Sequence, residues 1–189
     1  MLNAGIQRQV DFTSPSGISL SSITAELTIN YLSPLHTLTL FLPHLQSLSS
    51  MASIILLSSG LALVPIPSVP NYCASKSALH SLAWTQRAQL ADDDHSRHIR
   101  VIEIMPPAVQ TELHTLQPEL VKAGRANIGI PLAECLDEAW DALDRGDDDE
   151  IPISAIKSRF AAVEVERKAA FQQLIVMMKG QTPLRRAKV

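Results

Sequence analysis

The segment between Glu26 and Lys76 contains no aspartate, glutamate, lysine or arginine, and this constrains the fold more than any other feature. A helix that spans a membrane needs about 20 consecutive apolar residues. Prolines interrupt this segment repeatedly, at Pro34, Pro43, Pro65, Pro67 and Pro70. Strands of a parallel sheet are covered by helices on both faces and give uncharged runs of this kind. The segment is therefore predicted to form a buried helix and a buried strand, with no membrane span.

Hydrophobic periodicity divides the chain into alternating helices and strands. Helices are predicted at 21–46, 71–90, 112–126, 132–145 and 158–178. Strands are predicted at 53–58, 100–105 and 150–154. Ser21 or Ser22 is the predicted N-cap of the first helix. Strands that alternate with helices are typical of an α/β fold with a parallel sheet.

The composition favours a soluble globular domain. The chain has 189 residues, of which 46% are hydrophobic and 19% charged, and its net charge of −3 argues against nucleic acid as a partner. Its two cysteines, Cys73 and Cys135, have no metal or redox spacing, and the chain does not begin with a secretory signal. A cytoplasmic location is therefore predicted. Asp94, His95 and His98 are interpreted as a solvated turn, so no metal site is predicted.

Ser59, Tyr72 and Lys76 form the pattern Ser-x12-Tyr-x3-Lys. A tyrosine and a lysine four residues apart share one face of a helix. The lysine ammonium favours the phenolate, so it is predicted to lower the pKa of Tyr72. Tyr72 would then transfer a proton, while the Ser59 hydroxyl stabilises charge on a substrate oxygen. The competing interpretation is a solvated helix face with a serine that only ends a strand.

The pattern resembles that of the short-chain dehydrogenase/reductase family. Asn3-Ala4-Gly5 is similar to the family's turn at the end of its fourth strand. Asn30 stands where the family has a fourth catalytic residue, and Pro106–Thr111 is similar to the segment that holds the nicotinamide amide. Within the family the chain looks like the DltE-like branch, which shares Asn-Ala-Gly-Ile-Gln, the double proline and Glu-Ile-x-Ile before a last helix.

The resemblance implies an NAD(P)-dependent oxidoreductase that interconverts an alcohol and a carbonyl, with a small-molecule substrate. The implied catalytic residues are Asn30, Ser59, Tyr72 and Lys76. The implied cofactor contacts are Asn3, Ala4, Gly5, Tyr72, Lys76, Pro106, Val109 and Thr111. The substrate itself is not indicated.

Pro34 adds a hypothesis about proton supply. Proline has no N–H, so the carbonyl four residues earlier, that of Asn30, loses its helical partner. In the family this carbonyl holds a water that links the catalytic lysine to solvent. The implied relay is Asn30 carbonyl, water, Lys76 and Tyr72, and the alternative is an ordinary helix kink.

The family's glycine-rich turn, which takes the cofactor pyrophosphate at a helix N-terminus, has no counterpart in this sequence. No two of the glycines are close enough to form it: Gly5, Gly17, Gly60, Gly124, Gly129, Gly146 and Gly180. The implied fold is a Rossmann-type doubly wound parallel sheet, C-terminal portion only, without the first three strands. This partial domain is predicted at 1–180, with a basic, disordered tail at 181–189. Binding of NAD or NADP is expected to be weak, and the sequence does not distinguish the two.

A non-enzymatic role is the alternative function. Members of the family dimerise through the helices that here carry Asn30 and the Tyr72–Lys76 pair. The chain could therefore form a homodimer, or pair with a full-length relative as an interaction module.

Overall fold

The structure is a computed structural model that describes residues 1–146 and 148–181. The described helices are α1 (Leu20–Leu27), α2 (Ser33–Ser47), α3 (Pro70–Ala91), α4 (Glu112–Thr115), α5 (Pro118–Lys122), α6 (Leu132–Arg145) and α7 (Ser154–Gln181). The described strands are β1 (Ala52–Leu57), β2 (Ile99–Met105) and β3 (Glu150–Pro152). The tail predicted at 181–189 lies outside the described residues, except for the backbone of Gln181 at the end of α7.

The strands form one parallel sheet in the order β1-β2-β3. Leu56 of β1 pairs with Glu103 of β2. On the other side of β1, Leu2 forms a parallel bridge to Leu56, and its amide donates to the carbonyl of Ile55 at 2.7 Å. Leu2 therefore lies beside β1, at the place where the sequence predicted the end of a preceding strand.

Side chains of the sheet alternate between two cores, because successive residues of a strand point to opposite faces. One core joins α2 and α3 to one face of the sheet through Leu38, Leu79, Ala83, Ile54, Leu56 and Val101. The other joins α6 to the opposite face through Cys135, Ala139, Ala142, Ile102, Ile104 and Ile151. Helices on both faces confirm the predicted doubly wound α/β architecture. None of the helices in the described ranges is both long and apolar enough to cross a membrane.

The helix predicted at 21–46 is divided by a π-helical segment, Thr28–Leu32. Pro34 cannot donate to the carbonyl of Asn30. The amide of Ser33 instead reaches back five residues to the carbonyl of Thr28. A π segment of this kind inside a helix is a local insertion that often marks a functional site.

Several elements begin or end at other residues than predicted, because of a proline in one case and an N-cap from another helix in the other. The helix predicted at 112–126 is split into α4 and α5, because Gln117 precedes a proline and adopts an extended conformation. The predicted strand 150–154 ends at residue 152, and the last helix begins at Ser154 rather than at 158. The amide of Ser154 donates to Glu138 Oε2 at 2.7 Å, so a carboxylate from α6 caps α7.

The N-cap of the first helix also differs from the prediction. Ser19 has this role, rather than Ser21 or Ser22, and its Oγ accepts a hydrogen bond from the amide of Ser22 at 3.2 Å.

Candidate active site

Ser59 lies just beyond the carboxyl end of β1. Its Oγ accepts a hydrogen bond from the amide of Leu61 at 3.1 Å and so caps a short 3-10 turn, Gly60–Ala62. The amide of Gly60 donates to the carbonyl of Pro106 at 3.0 Å, which ties this corner to the segment after β2. A β-carbon on Gly60 would lie 2.1 Å from Cδ1 of Ile156, so the glycine permits the close approach of α7.

Tyr72 and Lys76 lie in the first two turns of α3, which begins at Pro70, a favoured first position of a helix. Both side chains are buried, with exposed fractions of 6% and 3%. Lys76 Nζ donates to the carbonyl of Leu57 at 2.8 Å and lies 5.6 Å from the centroid of the Tyr72 ring. The serine, the tyrosine and the lysine therefore meet at the carboxyl end of β1, and the solvated-face interpretation is wrong.

The predicted lowering of the Tyr72 pKa is not found. Burial raises the pKa of Tyr72 to about 12, although a hydrogen bond with the Ser59 side chain opposes this shift. Burial also lowers the pKa of Lys76 to about 8. Tyr72 is thus a neutral phenol over the physiological range, because desolvation of the phenolate outweighs its favourable interactions.

Asn30 joins this group from the π segment. Its side-chain Oδ1 accepts from the amide of Ile6 at 2.8 Å, and its Nδ2 donates to the Ile6 carbonyl at 2.9 Å. Nδ2 also donates to Ser75 Oγ at 3.0 Å, and that hydroxyl donates to the carbonyl of Tyr72 at 2.7 Å. The side chain of Asn30 therefore connects the N-terminal loop to the helix that carries the tyrosine.

Asn3-Ala4-Gly5 reaches the same place from the start of the chain. A β-carbon on Gly5 would lie 3.5 Å both from Asn30 Oδ1 and from Lys76 Nζ, so Gly5 faces this pair across a gap about one methyl group wide. Asn3 and Ala4 are exposed. Their exposed position between β1 and Gly5 leaves them accessible to a ligand.

The segment Pro106–Thr111 follows β2 and is fixed by residues near Gly129. Ile130 bridges to Val109, and the amide of Ile130 donates to the carbonyl of Ala108 at 3.0 Å. Gly129 has φ of +105°, and a β-carbon there would lie 2.1 Å from the carbonyl oxygen of Ala108. Val109 is buried in the core beside α6, while Thr111 is half-buried and is the N-cap residue of α4.

Two buried polar groups beside the site were not predicted. Gln117 Nε2 donates to Gln7 Oε1 at 2.9 Å and to the carbonyl of Leu113 at 2.7 Å, and Leu113 packs against the cluster that contains Tyr72. His80 and Glu103 form a buried pair one turn beyond Lys76. Glu103 is unusual in lying between two isoleucines of a buried strand, but the strand alone does not indicate its partner.

The described residues contain no group of three or more histidine, cysteine, aspartate or glutamate side chains that could hold a metal ion. Cys73 and Cys135 are both free and buried. Burial raises the pKa of the Cys73 thiol, which does not favour a nucleophilic role.

Comparison with known proteins identifies the family. Residues 1–120 match the family model of the short chain dehydrogenases. The chain belongs to this family of oxidoreductases, and the family resemblance inferred from its motifs is confirmed.

Among curated proteins, the chain is similar to the uncharacterized oxidoreductase DltE of Bacillus subtilis strain 168, with 35% identity over 172 residues. The alignment covers 91% of this chain and 65% of DltE, so the chain spans less than two thirds of that relative.

Two solved structures illustrate the likeness in fold. A short chain dehydrogenase from Burkholderia cenocepacia J2315, in complex with NADP, has a TM-score of 0.68 at 29% identity, with 91% of this chain and 68% of that chain covered. A short chain dehydrogenase/reductase from Burkholderia phymatum, in complex with NAD, has a TM-score of 0.70 at 16% identity, with 100% of this chain and 69% of that chain covered. At this low identity the second structure bears on the fold alone.

Proposed function

We propose that the chain carries the proton-transfer site of an NAD(P)-dependent oxidoreductase that interconverts a small-molecule alcohol and carbonyl. One observation carries the proposal: Ser59, Tyr72 and Lys76 converge at the end of β1, with Lys76 Nζ bonded to the Leu57 carbonyl at 2.8 Å. Asn30 completes the set of proposed catalytic residues from the π segment.

In carbonyl reduction, Tyr72 is the general acid. Its pKa, raised to about 12 by burial, keeps the phenol protonated, so a proton is available for the substrate oxygen. The hydroxyl of Ser59 donates a hydrogen bond to that oxygen as negative charge develops on it. The Lys76 ammonium stabilises the phenolate left behind, because an opposite charge nearby favours the ionised form. Alcohol oxidation is the reverse reaction, so the proton is accepted by the phenolate form of Tyr72, which is a minor form at neutral pH.

The nicotinamide half of a dinucleotide fits the residues present. Gly5 has no side chain on the side that faces Asn30 and Lys76, and Asn3 and Ala4 are exposed beside it. Thr111 follows the constrained segment that starts at Pro106. When bound, the nicotinamide supplies or accepts the hydride. Asn3, Ala4, Gly5, Tyr72, Lys76, Pro106, Val109 and Thr111 are the proposed contacts.

Binding of the dinucleotide is proposed to be weak, because the sequence has no glycine-rich turn for the pyrophosphate. We expect no saturable binding of NADH or NADPH below millimolar concentration.

The test combines binding and turnover at millimolar cofactor. Amide resonances of Gly5 and Thr111 should shift on addition of NADH or NADPH, and Tyr72→Phe should lower the rate of carbonyl reduction by about 100-fold or more. Tyr31→Phe is the matched control, because Tyr31 is the other tyrosine of the chain and lies in the π segment. Unshifted resonances at millimolar cofactor, or equal rates in the two variants, would overturn the proposal.

A second candidate, a homodimer or a complex with a full-length relative, is supported by the exposed apolar side chains of α2. Leu40 is 77% exposed and Phe41 is 59% exposed. Exposed apolar neighbours of this size are typical of an interaction surface. Phe41→Asp should therefore lower the molar mass measured by light scattering, and an unchanged mass would contradict the candidate. A cytoplasmic location remains a prediction, supported by the two free cysteines.

A further inference from the structure

A buried imidazole lies between two carboxylates beneath the proposed active site. His80 Nδ1 lies 3.0 and 2.8 Å from the two oxygens of Glu103, and Nε2 lies 3.1 Å from Glu164 Oε2. His80 and Glu103 are both 0% exposed. A buried carboxylate is costly unless it is paired, so an arrangement of this kind requires a compensating role in the fold or in the site.

The pair lies next to Lys76. Tyr72, Lys76 and His80 are spaced four residues apart on α3 and share one face of that helix. Glu103 of β2 pairs in register with Leu56 of β1, and Lys76 Nζ is bonded to the carbonyl of the next residue of β1, Leu57. Neighbouring strands lie about 4.8 Å apart, so the Glu103 carboxylate lies below the same helix face as the ammonium.

The charges around this pair come from three elements. Glu103 on β2 is the carboxylate that acts on Lys76, where it opposes the lowering of the lysine pKa by burial. On α7, Glu164 is shared between His80 and Arg167, with Arg167 Nη1 at 3.1 Å. Burial would lower the pKa of His80, but its contacts with Glu103 and Glu164 raise it overall. Glu26 of α1 acts on the Tyr72 end of the same face. The Glu103 carboxylate thus pairs with His80 on one side and acts electrostatically on the buried Lys76 on the other.

We propose that Glu103 is a positioning residue of the Tyr72–Lys76 site: its carboxylate, held by His80, is the buried counter-charge that keeps Lys76 an ammonium. The inference rests on the proposed function for the purpose of the site, because a protonated Lys76 is what stabilises the Tyr72 phenolate. The charge state of Lys76 can nevertheless be measured without cofactor or substrate. Failure of this inference is therefore distinguishable from failure of the proposed function.

The experiment follows the lysine Cε resonances of the ¹³C-labelled full chain against pH, with Lys76 assigned by its loss in Lys76→Met. Glu103→Gln keeps the size of the side chain and removes its charge. The midpoint of Lys76 should fall by about one pH unit, because a nearby opposite charge raises a lysine pKa by about 1–3 units. A merely structural role gives the opposite sign: loosened packing would hydrate Lys76 and move its midpoint up, towards about 10.4.

Glu164→Gln is the matched control, since it makes the same chemical change on the other side of His80. Its effect on Lys76 should be less than half that of Glu103→Gln. An unchanged or raised Lys76 midpoint in Glu103→Gln would overturn the proposal, and so would an equal effect of the two variants.

A reciprocal measurement covers the case in which Glu103→Gln does not fold. Lys76 and His80 both interact with the Glu103 carboxylate. Lys76→Met removes the competing positive charge, so the imidazole ¹⁵N midpoint of His80 should rise. A His80 midpoint that is the same in Lys76→Met and in the unmodified chain would refute the role of Glu103.

Discussion

The side chain of Asn30 and the backbone of Ile6 are joined by two hydrogen bonds, one from the Ile6 amide to Oδ1 at 2.8 Å and one from Nδ2 to the Ile6 carbonyl at 2.9 Å. The Asn30 side chain thus bonds both backbone groups of Ile6, as a neighbouring strand would do in a sheet. The orientation of Gly5, directly before Ile6, depends on this pairing, and so does the space between Gly5 and Lys76.

Asn30→Ala should lower the free energy of unfolding by about 1–3 kcal/mol, since it leaves polar backbone groups of a half-buried loop without partners. Urea denaturation measures the loss. Gln46→Ala is the control, because it removes one side-chain hydrogen bond, to Ser96 Oγ at 2.8 Å, far from the loop. Equal losses in the two variants would show that the loop does not depend on Asn30.

Stability should rise with pH between about 8 and 10 because of Lys76. Burial lowers the pKa of this lysine from 10.5 to about 8, so in this window the unfolded chain binds more protons than the folded chain. The free energy of unfolding therefore increases by up to about 1.4 kcal/mol per pH unit. Below pH 8 the lysine is protonated in both states, and its contribution is constant. Urea denaturation at a series of pH values measures this increase, and Lys76→Met should abolish it. A pH dependence of the free energy of unfolding equal to that of the unmodified chain would contradict the prediction.

Tyr72 should reverse this trend at higher pH. Burial raises its pKa from 10.0 to about 12, so above pH 10 the unfolded chain loses the phenolic proton first and the folded state is destabilised. Tyr72→Phe should flatten the decline of the free energy of unfolding between pH 10 and 11. A decline equal to that of the unmodified chain would assign the effect to other groups.

Gly129→Ala should displace the segment proposed to hold the nicotinamide. Its β-carbon would meet the Ala108 backbone, with the carbonyl carbon at 2.3 Å, and a backbone cannot move aside as a flexible side chain can. Gly124→Ala is the control, because Gly124 also has a positive φ, of +66°, but no neighbour within 4 Å. The strain of a left-handed alanine is common to both variants. Amide resonances of Ala108–Thr111 should move only in Gly129→Ala, and similar spectra for both would refute the contact.

Pro34→Ala tests the proton relay through the Asn30 carbonyl. Alanine restores an N–H that can donate to this carbonyl, so the π segment should close and the carbonyl should lose its capacity to hold water. In a catalytically active form of the protein, the pH–rate profile should shift. Pro43→Ala, which changes the other proline of α2, should leave the profile as it was. If Pro34→Ala also left the profile unmoved, the relay would be excluded.

Local sequence signals predicted the elements that have strong end signals. Helix α6 was predicted to the residue, Leu132–Arg145, and Gly146 ends it as expected, with φ of +71°. The start of α7 was missed because its cap is Glu138, sixteen residues away in another helix. The π segment was missed as a structure, although Pro34 correctly indicated that the helix is disturbed at Asn30.

Part of the candidate site was also predicted from a local signal, the spacing of a sequence motif. The motif spacing brought Ser59, Tyr72 and Lys76 together correctly, but it could not show how deeply they are buried. Desolvation, which raises the pKa of Tyr72, depends on the packing of the whole chain. The His80–Glu103 pair joins a helix to a strand 23 residues later, and no local pattern indicates such a contact.

The Gln7–Gln117 hydrogen bond, which joins residues 110 positions apart, has a consequence for how the site is made. The all-parallel sheet also pairs only distant segments, since Ala52 of β1 meets Ile99 of β2. Contacts so remote in sequence slow folding, because long loops must close before any of them contributes. During synthesis, Gln7 has no Gln117 to bind until that residue has left the ribosome, so the N-terminal loop that carries Gly5 can be fixed at the site only after this point.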